Sequence, residues 1–76
     1  MDISYDIETD AAYITLAAEQ SESQVHSIVP PCGHGEIILD FNAEGRFIGI
    51  EILGAQAVLP GALLRTARHP SATQET

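Results

Sequence analysis

Residues 36–54, Glu-Ile-Ile-Leu-Asp-Phe-Asn-Ala-Glu-Gly-Arg-Phe-Ile-Gly-Ile-Glu-Ile-Leu-Gly, constrain the fold of this chain more than any other stretch. Two aliphatic, β-branched runs flank Asn42-Ala43-Glu44-Gly45, a polar turn ending in the residue that enters left-handed backbone space most easily. The pattern is an antiparallel hairpin with strands over 36–41 and 46–53. An even-length loop sets Phe41 against Arg46, Leu39 against Ile48 and Ile37 against Ile50, and it gathers Ile37, Leu39, Ile48, Ile50 and Ile52 on one face with Phe41 at its rim. An odd loop would oppose Asp40 to Ile48 and Glu51 to Ile37. Because a one-residue slip exchanges the two faces, burial selects the even pairing. The opposite face, with Ile38, Phe47 and Leu53 among Glu36, Asp40, Gly49 and Glu51, is mixed, so part of it should be covered. Gly49 in mid-strand calls for a bulge or for a large neighbour lying over it, Phe47 or a tyrosine.

Upstream, residues 3–5 form a short strand and Asp6-Ile7-Glu8-Thr9-Asp10 supplies turn chemistry, since Asp and Thr side chains bond nearby backbone N–H groups. Residues 11–17 alternate Tyr13, Thr15 and Ala17 with Ala12, Ile14 and Leu16, the period of a strand, and should close a first hairpin. Residues 25–29 make a third strand, stopped by Pro30-Pro31, which offer no ladder donor. Residues 54–58 read as a linker or a final extended piece. Residues 59–68 read as a helix: Pro60 suits the first turn, Leu59, Leu63 and Leu64 form a narrow apolar stripe, and Arg65, Arg68 and His69 favour the carboxyl end. The expected fold is mainly β (α+β), a small antiparallel meander of about five strands with one short C-terminal helix. Residues 1–69 form one domain and 70–76 a disordered tail.

Seventy-six residues lie near the lower size limit for a self-sufficient core. Apolar residues make up 45%, yet there is no Trp and only two Phe and two Tyr, so the core must come from Ile, Leu, Val and Ala. Cores of this size supply only ~3–5 kcal/mol, a deficit commonly met by sharing a surface with another chain, so a homo-oligomer is expected. Eleven acids face three Arg and no Lys, a formal net charge of −8; nine of the acids fall within residues 1–45, which contain no Lys or Arg. Phosphate neutralisation is beyond such a chain, which argues against nucleic acid and against an anionic membrane surface. A basic protein partner remains compatible. No apolar run reaches the length of a membrane span, and the opening Met-Asp-Ile-Ser-Tyr-Asp has no basic region followed by a hydrophobic segment, so a cytoplasmic protein is expected.

Cys32 is the single cysteine and rules out an internal disulfide framework. With His34 two residues on and His26 upstream, it forms the best metal candidate, because thiolate and imidazole suit zinc or copper and the flanking glycines allow tight wrapping. No CxxC or HxxxH pair completes a four-ligand set. The same cysteine as a nucleophile with His34 as its base lacks an orienting acid and an oxyanion hole. Asp6, Glu8 and Asp10 alternate like the oxygens of a calcium loop, but Ala11, Ala12 and Tyr13 follow where further ligands belong. No constellation supports an enzyme, and no cofactor is expected.

Tyr5-Asp6, Glu8, Asp10-Ala11, Tyr13-Ile14 and Leu16 make an opening of the form YDxExDAxYIxL. Leu39-Asp40, Gly45 and Gly49-Ile50-Glu51-Ile52-Leu53 make a second motif of the form LDxxxxGxxxGIEIL. In this order and spacing the chain resembles, over about residues 3–54, the short prokaryotic family catalogued as domain of unknown function 2283. The resemblance implies a small, mostly antiparallel β-domain with a short helix. It implies no established activity, cofactor or catalytic residue, and it suggests an antitoxin-like place beside a small toxin-like protein. The segment Pro30-Pro31-Cys32-Gly33-His34 departs from the family pattern. The expected function is therefore a non-enzymatic interaction module that self-associates and engages a basic partner, with metal or small-ligand binding at His26, Cys32 and His34 as the alternative. Within the motifs, Asp6 and Asp10 close the first turn, while Tyr5 and Tyr13 bury their rings and keep their hydroxyls wet.

Overall fold

The computed structural model describes residues 2–18 and 24–68, and the tail expected over 70–76 lies outside them. Five strands, β1 (Asp2–Asp6), β2 (Ala11–Thr15), β3 (Gln24–Ile28), β4 (Glu36–Phe41) and β5 (Phe47–Leu53), precede two short helices, α1 (Ala55–Val58) and α2 (Gly61–Thr66). The strands form one antiparallel sheet in the order β1-β2-β5-β4-β3. The five-stranded antiparallel sheet agrees with expectation, but the order is not the sequential one of a simple meander: β2 lies beside β5. The reason is compositional. Phe-Ile-Gly-Ile-Glu-Ile-Leu suits burial between two neighbours, whereas Gln-Val-His-Ser-Ile is polar enough to take an edge.

The even register expected for the β4–β5 hairpin is corrected. Phe41 faces Phe47 across a five-residue loop, and a bulge then shifts the pairing so that Asp40 faces Gly49, Leu39 faces Ile50 and Ile37 faces Ile52. The odd loop is tolerated because the extra residue, Ile48, restores the alternation; Ile37, Leu39, Ile50 and Ile52 still share a face while their partners move by two. Phe47 moves to that face too and packs its ring 5.4 Å from that of Phe41. Ile48 is buried, and its carbonyl accepts the N–H groups of Leu16 and Ala17 where β2 ends. Asn42 holds the turn together, its Oδ1 accepting from the N–H groups of Glu44 and Arg46, each at 2.9 Å, with Gly45 at φ 84°.

Residues 54–58, expected to be a linker or a final extended piece, instead carry a one-turn helix. Gly54 takes φ 70° and turns the chain into α1, whose first N–H, from Ala55, donates to the Asp10 carbonyl at 2.9 Å. The second helix falls inside the expected span. Both helices lie on the face of the sheet that carries Tyr5, Ala12 and Ile52; these close around Ala55 and Ala67, with Ile3, Ile14, Ile50, Val58, Leu59 and Leu64 packed against them. Leu59 and Leu64 are thus consumed by the core.

Beyond α2 the chain returns to β1. Arg68 donates its N–H to the Ile3 carbonyl (2.8 Å) and accepts from the Tyr5 N–H (2.7 Å), while its guanidinium pairs with the Asp2 carboxylate. One sheet edge is thereby covered. The Cα extents, 37 × 33 × 18 Å, are those of a slab with a single helical layer. Among the described residues no helix is long and apolar enough to cross a membrane.

Candidate functional site

The residues of the two motifs converge on two tyrosine–aspartate pairs, one on each face of the sheet. On the helix face, Tyr5 is buried with its hydroxyl donating to Asp10 Oδ1 at 2.8 Å. The same oxygen accepts the Gln56 N–H at 3.0 Å, and the Gln56 side-chain amide donates to the Tyr5 hydroxyl at 3.1 Å. Asp10 sits at φ 55°, left-handed space that Asp tolerates better than most residues, at the end of a turn in which Asp6 Oδ1 accepts the Glu8 N–H. Asp10 therefore joins β1, the first turn and α1 through one carboxylate and one carbonyl. The Gln56 amide donating to the phenol oxygen draws the Tyr5 pKa down, but the Asp10 carboxylate that accepts its proton, burial and the charge of Asp6 together raise it above 10.0.

On the opposite face, Tyr13 Oη donates to Asp40 Oδ2 at 2.8 Å, two strands away, and Asp40 is buried. The ring crosses above Gly49, where an added Cβ would stand 2.7 Å from Tyr13 Cζ. The tyrosine foreseen over Gly49 is Tyr13, and the bulge foreseen there adjoins it. The hydroxyls, expected to be wet, are instead held by carboxylates. Those bonds join residues five and 27 positions apart, and only the folded register brings the second pair together. Asp10 and Asp40, one acid from each motif, are thus occupied as hydrogen-bond acceptors within the fold.

The metal candidates are dispersed in their engagements. His26 sits on β3 and meets the Phe41 ring edge-on at 5.6 Å. Cys32 is exposed with its thiol directed at the carbonyls of His34 (3.5 Å) and Ala57 (3.7 Å). Among the described residues no group of three or more His, Cys, Asp or Glu side chains is arranged to hold a metal ion.

What the sheet leaves open is its β3–β4 half. The helices pack over β1, β2 and β5, and on the far side Val25, Ile28 and Val29 are 57%, 50% and 72% exposed, with Phe47 also exposed. β3 is exposed at every position. The face opposite the helices carries Asp6, Glu36, Asp40 and Glu51 by strand alternation, and its five strands place no Lys or Arg there. Sequence reasoning named an exposed sheet in general terms; that the open part is the β3–β4 half depends on β2 lying beside β5, which strand patterns alone do not specify.

Neither a curated protein nor a solved structure matches the chain. A family model does, over residues 2–56, the span that holds both tyrosine–aspartate pairs, and the chain therefore belongs to the family described as Protein of unknown function (DUF2283).

Proposed function

We propose that this chain is a non-enzymatic protein-interaction module, self-associating and antitoxin-like toward a basic protein partner. The observation that carries the reading is the unequal covering of the sheet: the buried cluster under the helices draws on β1, β2 and β5, while Val25, Ile28 and Val29 on and beside β3 stand exposed. Exposed aliphatics grouped on one half of a small sheet favour association with protein. The acidic face and the formal charge of −8 favour a cationic partner, drawn in by long-range attraction and held by burial of the open half. Engagement of Asp10 and Asp40 as structural acceptors supports a non-catalytic role.

The test is capture of complexes from the native host at low salt, with mass spectrometry of what is retained. A short basic polypeptide released as salt is raised, because screening shortens the reach of surface charges to about 3 Å at 1 M, is the expected result. Recovery of the chain alone would count against the basic partner. Light scattering at high micromolar concentration addresses self-association separately, and a strict monomer would count against it.

A further inference from the structure

We propose that the outer edge of β3 is a homodimer seam, at which two copies pair antiparallel about a twofold axis with Ser27 opposite Ser27 of the second copy, giving a continuous ten-stranded sheet. This rests on the self-association reading above and specifies its surface.

The two edges of the sheet are treated differently. In an antiparallel ladder successive residues turn their backbone groups to alternate sides. On β1 Ile3 and Tyr5 turn their backbone groups outward, and Arg68 takes the Ile3 carbonyl and the Tyr5 N–H. The same alternation can be followed across the sheet. The Asn42 N–H donates to Arg46 across the β4–β5 turn, so even-numbered residues of β4 face β5 and Ile37, Leu39 and Phe41 face β3. Their partners Ile28, His26 and Gln24 therefore face β4, which leaves the backbone groups of Val25 and Ser27 directed outward, with Val29 next in the alternation just past the end of the strand. Among the described residues nothing bonds to them.

Edge strands that remain single are blunted by charge, proline, a bulge or a covering segment. Within its span β3 has none of these: Gln-Val-His-Ser-Ile is uncharged and pairs with β4 without a register shift. From Gln24 to Gly35 there is no Asp, Glu, Lys or Arg, so although each copy carries −8, the charge beside the seam is confined, among the described residues, to the Glu36 carboxylate that accepts from the Ser27 hydroxyl. The twofold register centred on Ser27 sets Val25 against Val29 on one face and His26 against Ile28 on the other. It matches outward groups to outward groups through about six main-chain hydrogen bonds. It also continues the open apolar half formed by Ile37, Leu39 and Phe41 into the same half of the second copy. A foreign strand could use the same backbone groups, but the self-complementary pattern and the lack of charge favour a second copy over a basic chain, which would be drawn to the carboxylates elsewhere.

The experiment combines light scattering with amide hydrogen exchange on the full chain. The wild type should scatter at twice the 8.1 kDa chain mass and show slowed exchange at Val25 and Ser27. Ser27→Pro removes an outward donor, and with it the hydroxyl bond to Glu36, while keeping the backbone bonds of the β4 ladder, and should halve the mass; Val25→Lys should do the same, and it decides the matter if circular dichroism shows the proline variant unfolded. A wild-type dimer that persists in the folded variants, with rapid exchange at Val25 and Ser27, overturns the seam while leaving self-association through another surface. A wild-type monomer overturns both. Protection of the two amides only when a basic partner is bound assigns the edge to that partner and overturns the homodimer.

Discussion

Tyr13 reaches Asp40 because position 49 has no side chain beneath its ring. The contact crosses the whole width of β5, and any Cβ at Gly49 would meet the phenol first. Gly49→Ala must push the ring aside and leave a buried carboxylate short of a donor, at a cost of about 1–3 kcal/mol. Tyr13→Phe, which keeps the ring and removes only the donor, should cost a similar about 1–3 kcal/mol. The two effects share one hydrogen bond, so the double variant should lose less than their sum. Urea unfolding of the four proteins checks this, and a Gly49→Ala chain as stable as the wild type would mean that the ring has room to spare. From the sequence, Gly49 called for a bulge or a large neighbour, because a glycine in mid-strand is costly without a reason. It did not show the carboxylates that hold Tyr5 and Tyr13, since burial of Asp40 and the left-handed turn at Asp10 are properties of the folded register.

The strands were legible from local chemistry wherever alternation and turn residues agreed. β4 occupies the expected 36–41, and the other four fall within a residue or two of expectation. What failed were features set by distant partners that local patterns do not encode. Ile48 looked like one more inward residue of β5, but its carbonyl serves the end of β2 and the strand bulges to let it. The one-turn α1 has little intrinsic propensity as a four-residue segment, and it forms because Gly54 turns left-handed and the Asp10 carbonyl receives its first N–H. Arg68, read only as a favourable charge at a helix end, acts mainly through its backbone as a strap on β1. Arg68→Ala keeps those two backbone bonds and removes only an exposed, solvent-screened ion pair, so it should leave stability almost unchanged. Truncation after Thr66 removes the strap and the buried Ala67, and it should cost about 2–3 kcal/mol. Exchange at the Tyr5 amide separates the cases: it should stay slow in Arg68→Ala and become fast in the truncated chain, whereas slow exchange in both would show that the strap does not protect the edge.

At the scale of the whole molecule, the Tyr5–Asp10–Gln56 cluster is a polar attachment of the helical layer to the sheet. Its protonation state therefore bears on whether the layer stays closed. The Gln56 donor favours a phenolate, but the Asp10 carboxylate, burial and nearby Asp6 oppose it more strongly, and the Tyr5 pKa lies above the 10.0 of a free phenol. A group whose folded pKa is raised contributes its full stability below the unfolded value and loses it as pH climbs through the folded one. Resistance to urea should thus hold through neutral pH and decline above about pH 10, where the unfolded phenol gives up its proton more readily than the folded one. At the acid end the sign reverses: the Arg68 guanidinium bonded to Asp2 lowers that carboxyl, so its contribution is present above about pH 4 and disappears as pH falls through the lowered folded value. Asp2 is exposed, which makes the alkaline limb the diagnostic one. Replacing Tyr5 by Phe removes the titrating proton while retaining the ring, so the variant should be less stable at pH 7 yet flatter between pH 9 and about 11. Urea midpoints across that range, followed beside phenolate absorbance, give the comparison, and an alkaline decline of equal steepness in wild type and Tyr5→Phe would place the sensitive group elsewhere than at the junction of sheet and helices.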